Sequence, residues 1–386
     1  MNGHAPSRKT RVGTRPIGSN GRAARGFTLV ELLVTVTIIG ILAGVMLGAV
    51  GAARESARHA KTKSTITKLH AIVMEQYESY RTRRVGLSNA QVQLIAQNAG
   101  YWDPTVNPLI PTRAVALVRL NAMRDLMRME MPERWSDVTS PIPPSSLSGI
   151  TRPALSRAYW RRYSQARLKV EATYPVGTYR DQSQERLNRY SSAECLYMIV
   201  SMAGGADARD QFNDSEIGDA DGDTLPEFHD AWGNPILFLR WAPGLTESDL
   251  QAQTYFFDYN LSPPQYARDT AAAAQAGLED HDPFDYRNLF SEAYRLVPLI
   301  YSAGPDGIYD VGFEGGYYFG HQMDPFTFNR APDPYNGAGA PVNSWNESVT
   351  AMDPPPDTSD PLYGPKRTPN TYDHYDNIHN HRVEVE

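Results

Sequence analysis

A continuous apolar stretch dominates the N-terminal part of the chain. From Phe27 to Val50 there are 24 residues and a single charged side chain, that of Glu31. This length is sufficient for a helix to cross a bilayer. A charge in hydrocarbon costs at least about 2.5 kcal/mol, so Glu31 is a candidate functional residue. The alternative is an ordinary signal anchor that carries a chance glutamate.

The helical pattern continues beyond the apolar stretch. Residues 51–84 contain no proline, and apolar residues recur there at steps of three and four: Ile66, Leu69, Val73, Tyr77 and Tyr80. The pattern predicts a long helix over residues 27–84, apolar on all sides in residues 27–50 and amphipathic afterwards. At 1.5 Å per residue, this helix would be about 85 Å long.

Three glycines in the apolar stretch, Gly40, Gly44 and Gly48, are four residues apart and therefore share one helix face. Small residues at this spacing allow two helices to approach closely in lipid. We therefore interpret the face as a candidate packing seam for assembly. The general enrichment of glycine in membrane helices explains the same pattern equally well.

The remainder of the chain divides by composition into three segments. Residues 85–202 are predicted to be a helical insertion, with one helix over Thr112–Met131 that ends before Pro132. Residues 203–323 are rich in Gly, Asp, Asn and Pro and form an acidic head with short strands. Residues 324–386 are predicted to be an irregular tail.

Within the head, Pro235–Trp241 and Arg295–Tyr301 are apolar runs bounded by turn residues, and both are predicted strands. The expected fold class is therefore α+β. A long helix would pack on a small antiparallel sheet, to which the helical insertion is added.

Charge is unevenly distributed along the chain. The net charge is −7, and residues 1–26 contain six Lys and Arg but no acidic residue, so removal of this segment would leave −13 on 360 residues. Positive flanks stay in the cytoplasm, which predicts an extracytoplasmic head. Nine basic and three acidic residues lie between Arg152 and Tyr190. They indicate either a contact patch or a solvated helix face.

The N-terminal motif carries a family resemblance. Residues 26–31 read Gly-Phe-Thr-Leu-Val-Glu after the basic segment and before the apolar stretch. This arrangement resembles the cleavage and methylation motif of type IV prepilins and type II secretion pseudopilins. The resemblance implies that prepilin peptidase removes residues 1–26 by cutting after Gly26 and then N-methylates Phe27. It also implies that Glu31 pairs with the N-terminal amine of a neighbouring subunit.

The first candidate metal site is an acidic loop. Counted from Asp219, carboxylates fall at positions one, three, five, nine and twelve: Asp219, Asp221, Asp223, Glu227 and Asp230. This spacing is similar to that of an EF-hand calcium loop. Thr224 stands where the turn glycine is expected, Pro226 interrupts the loop, and position twelve has the shorter aspartate. A solvated acidic turn is the alternative.

The second candidate metal site comes from a resemblance. Residues 230–236, with a Trp-Gly-Asn-Pro turn, and residues 301–310, with Ser-Ala-Gly-Pro-Asp-Gly, resemble parts of the head of the major type II secretion pseudopilin. That resemblance implies structural calcium, with Ser302, Asp306 and Asp310 as candidate ligands. The alternative is a glycine-rich turn that needs no metal.

Other candidate chemistry is sparse. The only cysteine, Cys195, excludes a disulfide framework and is expected to be a buried thiol. The tail contains a group that is either a zinc site or a polar surface: Asp373, His374, Asp376, His379 and His381. The sequence has no P-loop, no Gly-x-Ser-x-Gly and no His-Glu-x-x-His, so no enzyme is predicted.

Together these features predict a structural subunit of a type IV pilus or type II secretion-like pseudopilus. It would span the inner membrane once, and its partners would be prepilin peptidase and other pilin or pseudopilin subunits, with no clear nucleic acid. The alternative is a membrane-anchored extracytoplasmic protein that binds carbohydrate or a surface polymer. The 22 tyrosines and six tryptophans favour that alternative. An anchored hydrolase is a third, weaker hypothesis.

Overall fold

The computed structural model describes residues 27–139, 152–174, 187, 190–205, 207–241, 248–252, 255–258, 265–268, 270–291, 293–307, 309 and 378–382. The chain divides into two compact units, Met1–Glu55 and Ser56–Glu386.

The first helix, α1 (Leu29–Ser79), has residues in both units. In the first unit its apolar side chains are exposed, among them Leu33, Ile39 and Leu47. This is the one helix of the described residues that is long and apolar enough to cross a membrane. The predicted long N-terminal helix is therefore present, although it ends at Ser79 rather than at Arg84.

In the second unit, the amphipathic stripe of α1 faces the core. Ile66, Leu69, Val73 and Tyr77 are buried, and the Tyr77 hydroxyl donates a hydrogen bond of 2.9 Å to the Leu296 carbonyl. The recurrence at three- and four-residue steps thus identified the packed face of the helix.

Among the described residues of the predicted helical insertion there are five further helices: α2 (Asn89–Asn98), α3 (Thr112–Glu130), α4 (Trp135–Thr139), α5 (Ala154–Thr173) and α6 (Ser191–Met198). As predicted, α3 ends before Pro132. A π-helical turn, Ile199–Ala203, continues α6. Cys195 on α6 is buried, as the sequence predicts.

The strands that the structure describes form three small antiparallel groups. A hairpin joins β1 (Ile217–Gly218) to β2 (Glu227–Phe228), and β4 (Tyr255–Asp258) pairs antiparallel with β5 (Gln265–Arg268). Helix α7 (Thr270–Glu279) follows β5.

The third group is a three-stranded sheet of β3 (Leu237–Leu239), β6 (Leu299–Ser302) and β7 (Ile378–His379), with β6 in the centre. The two predicted strands therefore exist and pair with each other, with Phe238 opposite Ile300. Strand β7 comes from the segment expected to be irregular, and it pairs with β6 at Tyr301. The observed fold is the α+β mixture that the sequence predicts.

A buried ion cluster connects the helices to the sheet. Arg240 directly follows β3, and its guanidinium donates hydrogen bonds to the Met131 carbonyl (2.7 Å) and to Asp137 Oδ2 (3.2 Å). Asp137, on α4, also accepts a hydrogen bond from Arg128 of α3. Burial alone would raise the pKa of Asp137, but the nearby arginines hold it well below its usual range.

Candidate functional site

The start of α1 is capped by two residues of the N-terminal motif, Thr28 and Glu31. Thr28 precedes the helix, and its backbone N–H donates to Glu31 Oε2 at 2.8 Å. The Glu31 N–H donates in return to Thr28 Oγ1 at 3.2 Å. This reciprocal pair is a capping box, which satisfies two N–H groups that a helix start leaves without intrahelical partners. Sequence analysis missed this local role of Glu31, although the Thr-x-x-Glu spacing is its signature.

The other predicted assembly residues, Gly40, Gly44 and Gly48, have free space around them. A Cβ added at Gly40, Gly44 or Gly48 would meet no atom of the chain within 4 Å. Nothing in the described structure therefore requires glycine at these positions, and the packing seam stays a prediction. Phe27 is 81% exposed, and Gly26 lies outside the described residues.

The acidic loop between β1 and β2 is organised around Asp219. Its carboxylate accepts hydrogen bonds from the backbone N–H groups of Gly222 (2.7 Å), Asp223 (3.1 Å) and Thr224 (2.9 Å). Thr224 has φ = 77°, a left-handed conformation that favours glycine. The backbone thus turns at the position where an EF-hand loop has its glycine.

This loop brings carboxylates together in two overlapping groups. Glu194, Asp221 and Asp223 offer oxygens within 4.8 Å of one another, and so do Asp219, Asp221 and Glu227. Glu194 lies on α6, outside the loop, and sequence analysis did not select it. Its only local signal is a carboxylate at the edge of the apolar run from Cys195 to Val200.

Burial dominates the electrostatics of these carboxyl groups. It raises the pKa of Asp223 to about 8, with a further contribution from the charge of Asp221. Burial also raises the pKa of Glu194 well above its usual range, and the charges of Asp223 and Asp221 add to this effect. The pKa of Glu227 is raised by burial as well.

Asp230, the last residue of the predicted loop, has a different place. Its Oδ1 accepts hydrogen bonds from the N–H groups of Trp232 (2.9 Å) and Asn234 (2.8 Å), and its Oδ2 accepts one from the Ser302 hydroxyl (2.7 Å). Asn234 Nδ2 also donates to the Gly304 carbonyl at 3.0 Å. Asp230 therefore joins the Trp-Gly-Asn-Pro turn to the loop that follows β6 and belongs to neither carboxylate group.

The second candidate metal site is only partly described. Ser302 donates to Asp230 and accepts from the Gly304 N–H at 3.0 Å, contacts that hold this loop together without a metal. Asp306 is exposed, and Asp310 lies outside the described residues. Calcium at Ser302, Asp306 and Asp310 stays a prediction.

Residues 21–47 match the family of the prokaryotic N-terminal methylation motif. This match supports the type IV pilin and pseudopilin family. It covers the Gly-Phe-Thr-Leu-Val-Glu segment and most of the apolar stretch. Comparison of the whole chain with curated proteins and with solved structures found no match.

The pilin motif has direct implications for this chain. It is a motif of structural proteins, it implies processing by prepilin peptidase, and it implies assembly with other pilins. The motif and the apolar first part of α1 together fit a single-pass membrane anchor.

The histidines of the tail are divided by the boundary of the described residues. Asp373, His374 and Asp376 lie outside it. His381 is buried rather than on a polar surface: its Nδ1 lies 2.8 Å from Ser248 Oγ, and its Nε2 lies 3.1 Å from the Val297 carbonyl. Both ring nitrogens of His381 are therefore engaged in the fold, and the zinc hypothesis stays untested.

Proposed function

We propose that this chain is a structural subunit of a type IV pilus or a type II secretion-like pseudopilus. The match of residues 21–47 to the methylation motif is the observation that carries the proposal. Prepilin peptidase cuts after Gly26 and methylates Phe27, and the mature subunit then assembles through α1. The head stays on the extracytoplasmic side of the inner membrane.

The exposure of the first part of α1 supports this assembly mode. Leu29, Val36, Met46 and Leu47 are each more than half exposed within the isolated chain. Apolar surface of this extent requires lipid or other apolar helices as its environment. A membrane provides the first environment before assembly, and neighbouring α1 helices provide the second in a filament.

The proposal gives Glu31 two roles, one within its own helix and one between subunits, and substitutions can separate them. In the monomer, Glu31 caps its own helix through Thr28. In the filament, its charge neutralises the N-terminal amine of a neighbouring Phe27. An amine left without its partner in an apolar core costs about 3–5 kcal/mol, so misplaced subunits are rejected.

The test compares three variants for filament incorporation by immunogold electron microscopy of shed material. Glu31→Gln keeps a side-chain oxygen for the capping box but removes the charge, whereas Thr28→Val removes the threonine cap but keeps the charge. We expect Glu31→Gln and Glu31→Ala to abolish incorporation and Thr28→Val to reduce it mildly. Normal incorporation of Glu31→Gln would refute the charge-pairing mechanism.

Mass spectrometry of the mature N-terminus tests the processing step. We expect a chain that begins at N-methylated Phe27. A mature chain that retains residues 1–26 would contradict the proposal. Correct processing without any filament that contains the chain would favour the anchored binding protein instead.

The head supports a more specific form of this proposal, in which the chain is related to the major type II secretion pseudopilin. The two patches that carry this resemblance are about sixty residues apart in sequence, yet they are in contact in the fold. Asp230 and Asn234 of the first patch bond to Ser302 and Gly304 of the second. A chance similarity of two isolated turns would not require this contact.

A further inference from the structure

Carboxylates from three elements converge beside the β1–β2 loop. Asp219, Asp221 and Asp223 come from the loop, Glu227 begins β2, and Glu194 comes from α6. Two oxygens bound to one Ca²⁺ at about 2.4 Å can lie at most about 4.8 Å apart. The oxygens within each of the two groups satisfy that limit, and Asp221 is common to both.

An independent observation concerns the hydrogen bonds of these carboxylates. Glu194 is 1% exposed, and Asp223 and Glu227 are 0% exposed. Within the described part of the chain, no hydrogen-bond donor reaches Glu194 Oε1, Asp223 Oδ2 or Glu227 Oε1. Buried carboxylate oxygens nearly always have a partner, because desolvation without one is costly. Glu194 and Asp223 belong to one carboxylate group, and Glu227 belongs to the overlapping one. Buried oxygens without a donor in such groups indicate a ligand that accepts lone pairs.

In the described part of the chain, positive side chains do not partner these carboxylate oxygens. Among the residues that the structure describes, no Lys or Arg lies within ion-pair distance of Glu194, Asp223 or Glu227. The nearest cationic candidate is His229, whose Nε2 lies 3.7 Å from Glu227 Oε2. One imidazole cannot balance the buried carboxylates of Glu194, Asp223 and Glu227, so among the described residues their charge is left for protons or a bound cation to compensate.

We propose that this cluster is a divalent-cation site that binds Ca²⁺ through Glu194, Asp221 and Asp223, with the overlapping group of Asp219, Asp221 and Glu227 beside it. The donors are all hard carboxylate oxygens, which exclude a preference for soft metals. Several carboxylates, each able to bind through one or both oxygens, suit the six to eight ligands of Ca²⁺. Mg²⁺ requires a stricter octahedron and retains its water.

The proposed ion has a structural consequence that goes beyond filament assembly. It would tie α6 to the β1–β2 hairpin through Glu194. The other oxygen of Glu194, Oε2, accepts a hydrogen bond from the Trp135 indole N–H, so α4 is connected to the same point. The site lies entirely within the second unit, and its test does not depend on processing or assembly.

The first experiment uses the unaltered full chain in detergent after removal of metals by a chelator. Tb³⁺, which mimics Ca²⁺, should show luminescence sensitised by the neighbouring Trp135, and Ca²⁺ should displace it. Calorimetric titration should show Ca²⁺ binding at least about tenfold tighter than Mg²⁺. Absence of sensitised emission and of calorimetric Ca²⁺ binding at 10-fold molar excess would overturn the proposal, and tighter Mg²⁺ binding would overturn the choice of cation.

The second experiment locates the site with near-isosteric variants. Glu194→Gln keeps an oxygen for Trp135, and Asp223→Asn keeps an oxygen for its hydrogen bond with the Leu225 N–H (2.7 Å). Each should weaken Ca²⁺ binding at least about tenfold. Asp306→Asn, in the other candidate loop, is the matched control and should bind as the unaltered chain does. Loss in Asp306→Asn with retention in Glu194→Gln and Asp223→Asn would place the metal elsewhere and refute the proposal.

Discussion

Replacing Arg240 by methionine should destabilise the second unit strongly, because it removes the centre of a buried ion cluster. Arg240 is 1% exposed, and its Nη1 donates to both the Met131 carbonyl and Asp137 Oδ2. Its Nη2 lies 3.8 Å from Glu133 Oε1. Methionine fills much of the same volume but can make none of these polar contacts.

The contacts around Arg240 determine how large the loss of stability should be. Removing one member of a buried ion pair typically costs about 3–5 kcal/mol. Asp137 keeps Arg128 at hydrogen-bond distance and Arg134 at 4.0 Å, so its charge stays compensated after the substitution. The Met131 carbonyl loses a charged donor, which is worth about 1.5–3 kcal/mol. We therefore expect the lower end of the range, a loss of about 3 kcal/mol in the free energy of unfolding.

Urea unfolding of the full chain in detergent, followed by tryptophan fluorescence, measures this loss. Trp241 lies next to Arg240, with its ring 4.4 Å from the guanidinium carbon, and reports on the region directly. The midpoints are compared at equal slope, so that a shift reflects stability rather than a change in the unfolded state. Arg167→Met is the control: Arg167 pairs with Glu171 on the surface of α5 and should change stability by less than about 0.5 kcal/mol.

A double-mutant cycle tests whether the lost hydrogen bond between Arg240 and Asp137 causes the destabilisation. Arg240→Met and Asp137→Asn act on the same hydrogen bond, so their effects should fail to add, with a coupling of at least about 1 kcal/mol. A loss below about 1 kcal/mol for Arg240→Met alone would refute the reasoning. Additivity of the two changes would show that the cluster does not act as a unit.

Two further predictions concern the second unit. His381 is held neutral because burial lowers its pKa to about 3, so the unfolded chain alone takes up this proton as pH falls below about 6.5. The free energy of unfolding should therefore fall between pH 6.5 and 3. Between pH 7 and 5, this fall should be about 2 kcal/mol smaller in His381→Gln than in the unaltered chain. Equal falls in the two chains, measured by urea unfolding, would contradict this. In Gly218→Ala, the new Cβ would lie 2.4 Å from His229 Cε1, which should cost about 1–3 kcal/mol, whereas Gly86→Ala meets nothing within 4 Å. Equal thermal unfolding of these two variants would show that the hairpin yields to the added methyl group.

Local pattern was sufficient for the elements whose stabilising contacts are close in sequence. Helix α3 was predicted because its helical sequence ends at a proline, and the amphipathic stripe of α1 was predicted by its period. Hydrogen bonds within a helix join residues four apart, so the information lies in one short window. The Asp219–Asp223 loop is similar, since its hydrogen bonds span at most five residues.

Contacts between residues distant in sequence could not be predicted from local pattern. Strand β7 is only two residues long, and it forms because β6, about 75 residues earlier, offers an edge. Asn380 bonds to Ile300 across the same distance. The composition of the tail favours irregular structure, and only a partner distant in sequence reverses that preference.

The sequence by itself determined the N-terminal motif, the long helix and the presence of an acidic loop, because each is written in contiguous residues. Only the tertiary structure decided which carboxylates meet. It separated Asp230 from the loop by binding it to Ser302, and it added Glu194 from α6. The physical reason is that side chains distant in sequence are brought together by the packing of the whole core, and that packing depends on shape and burial rather than on local spacing.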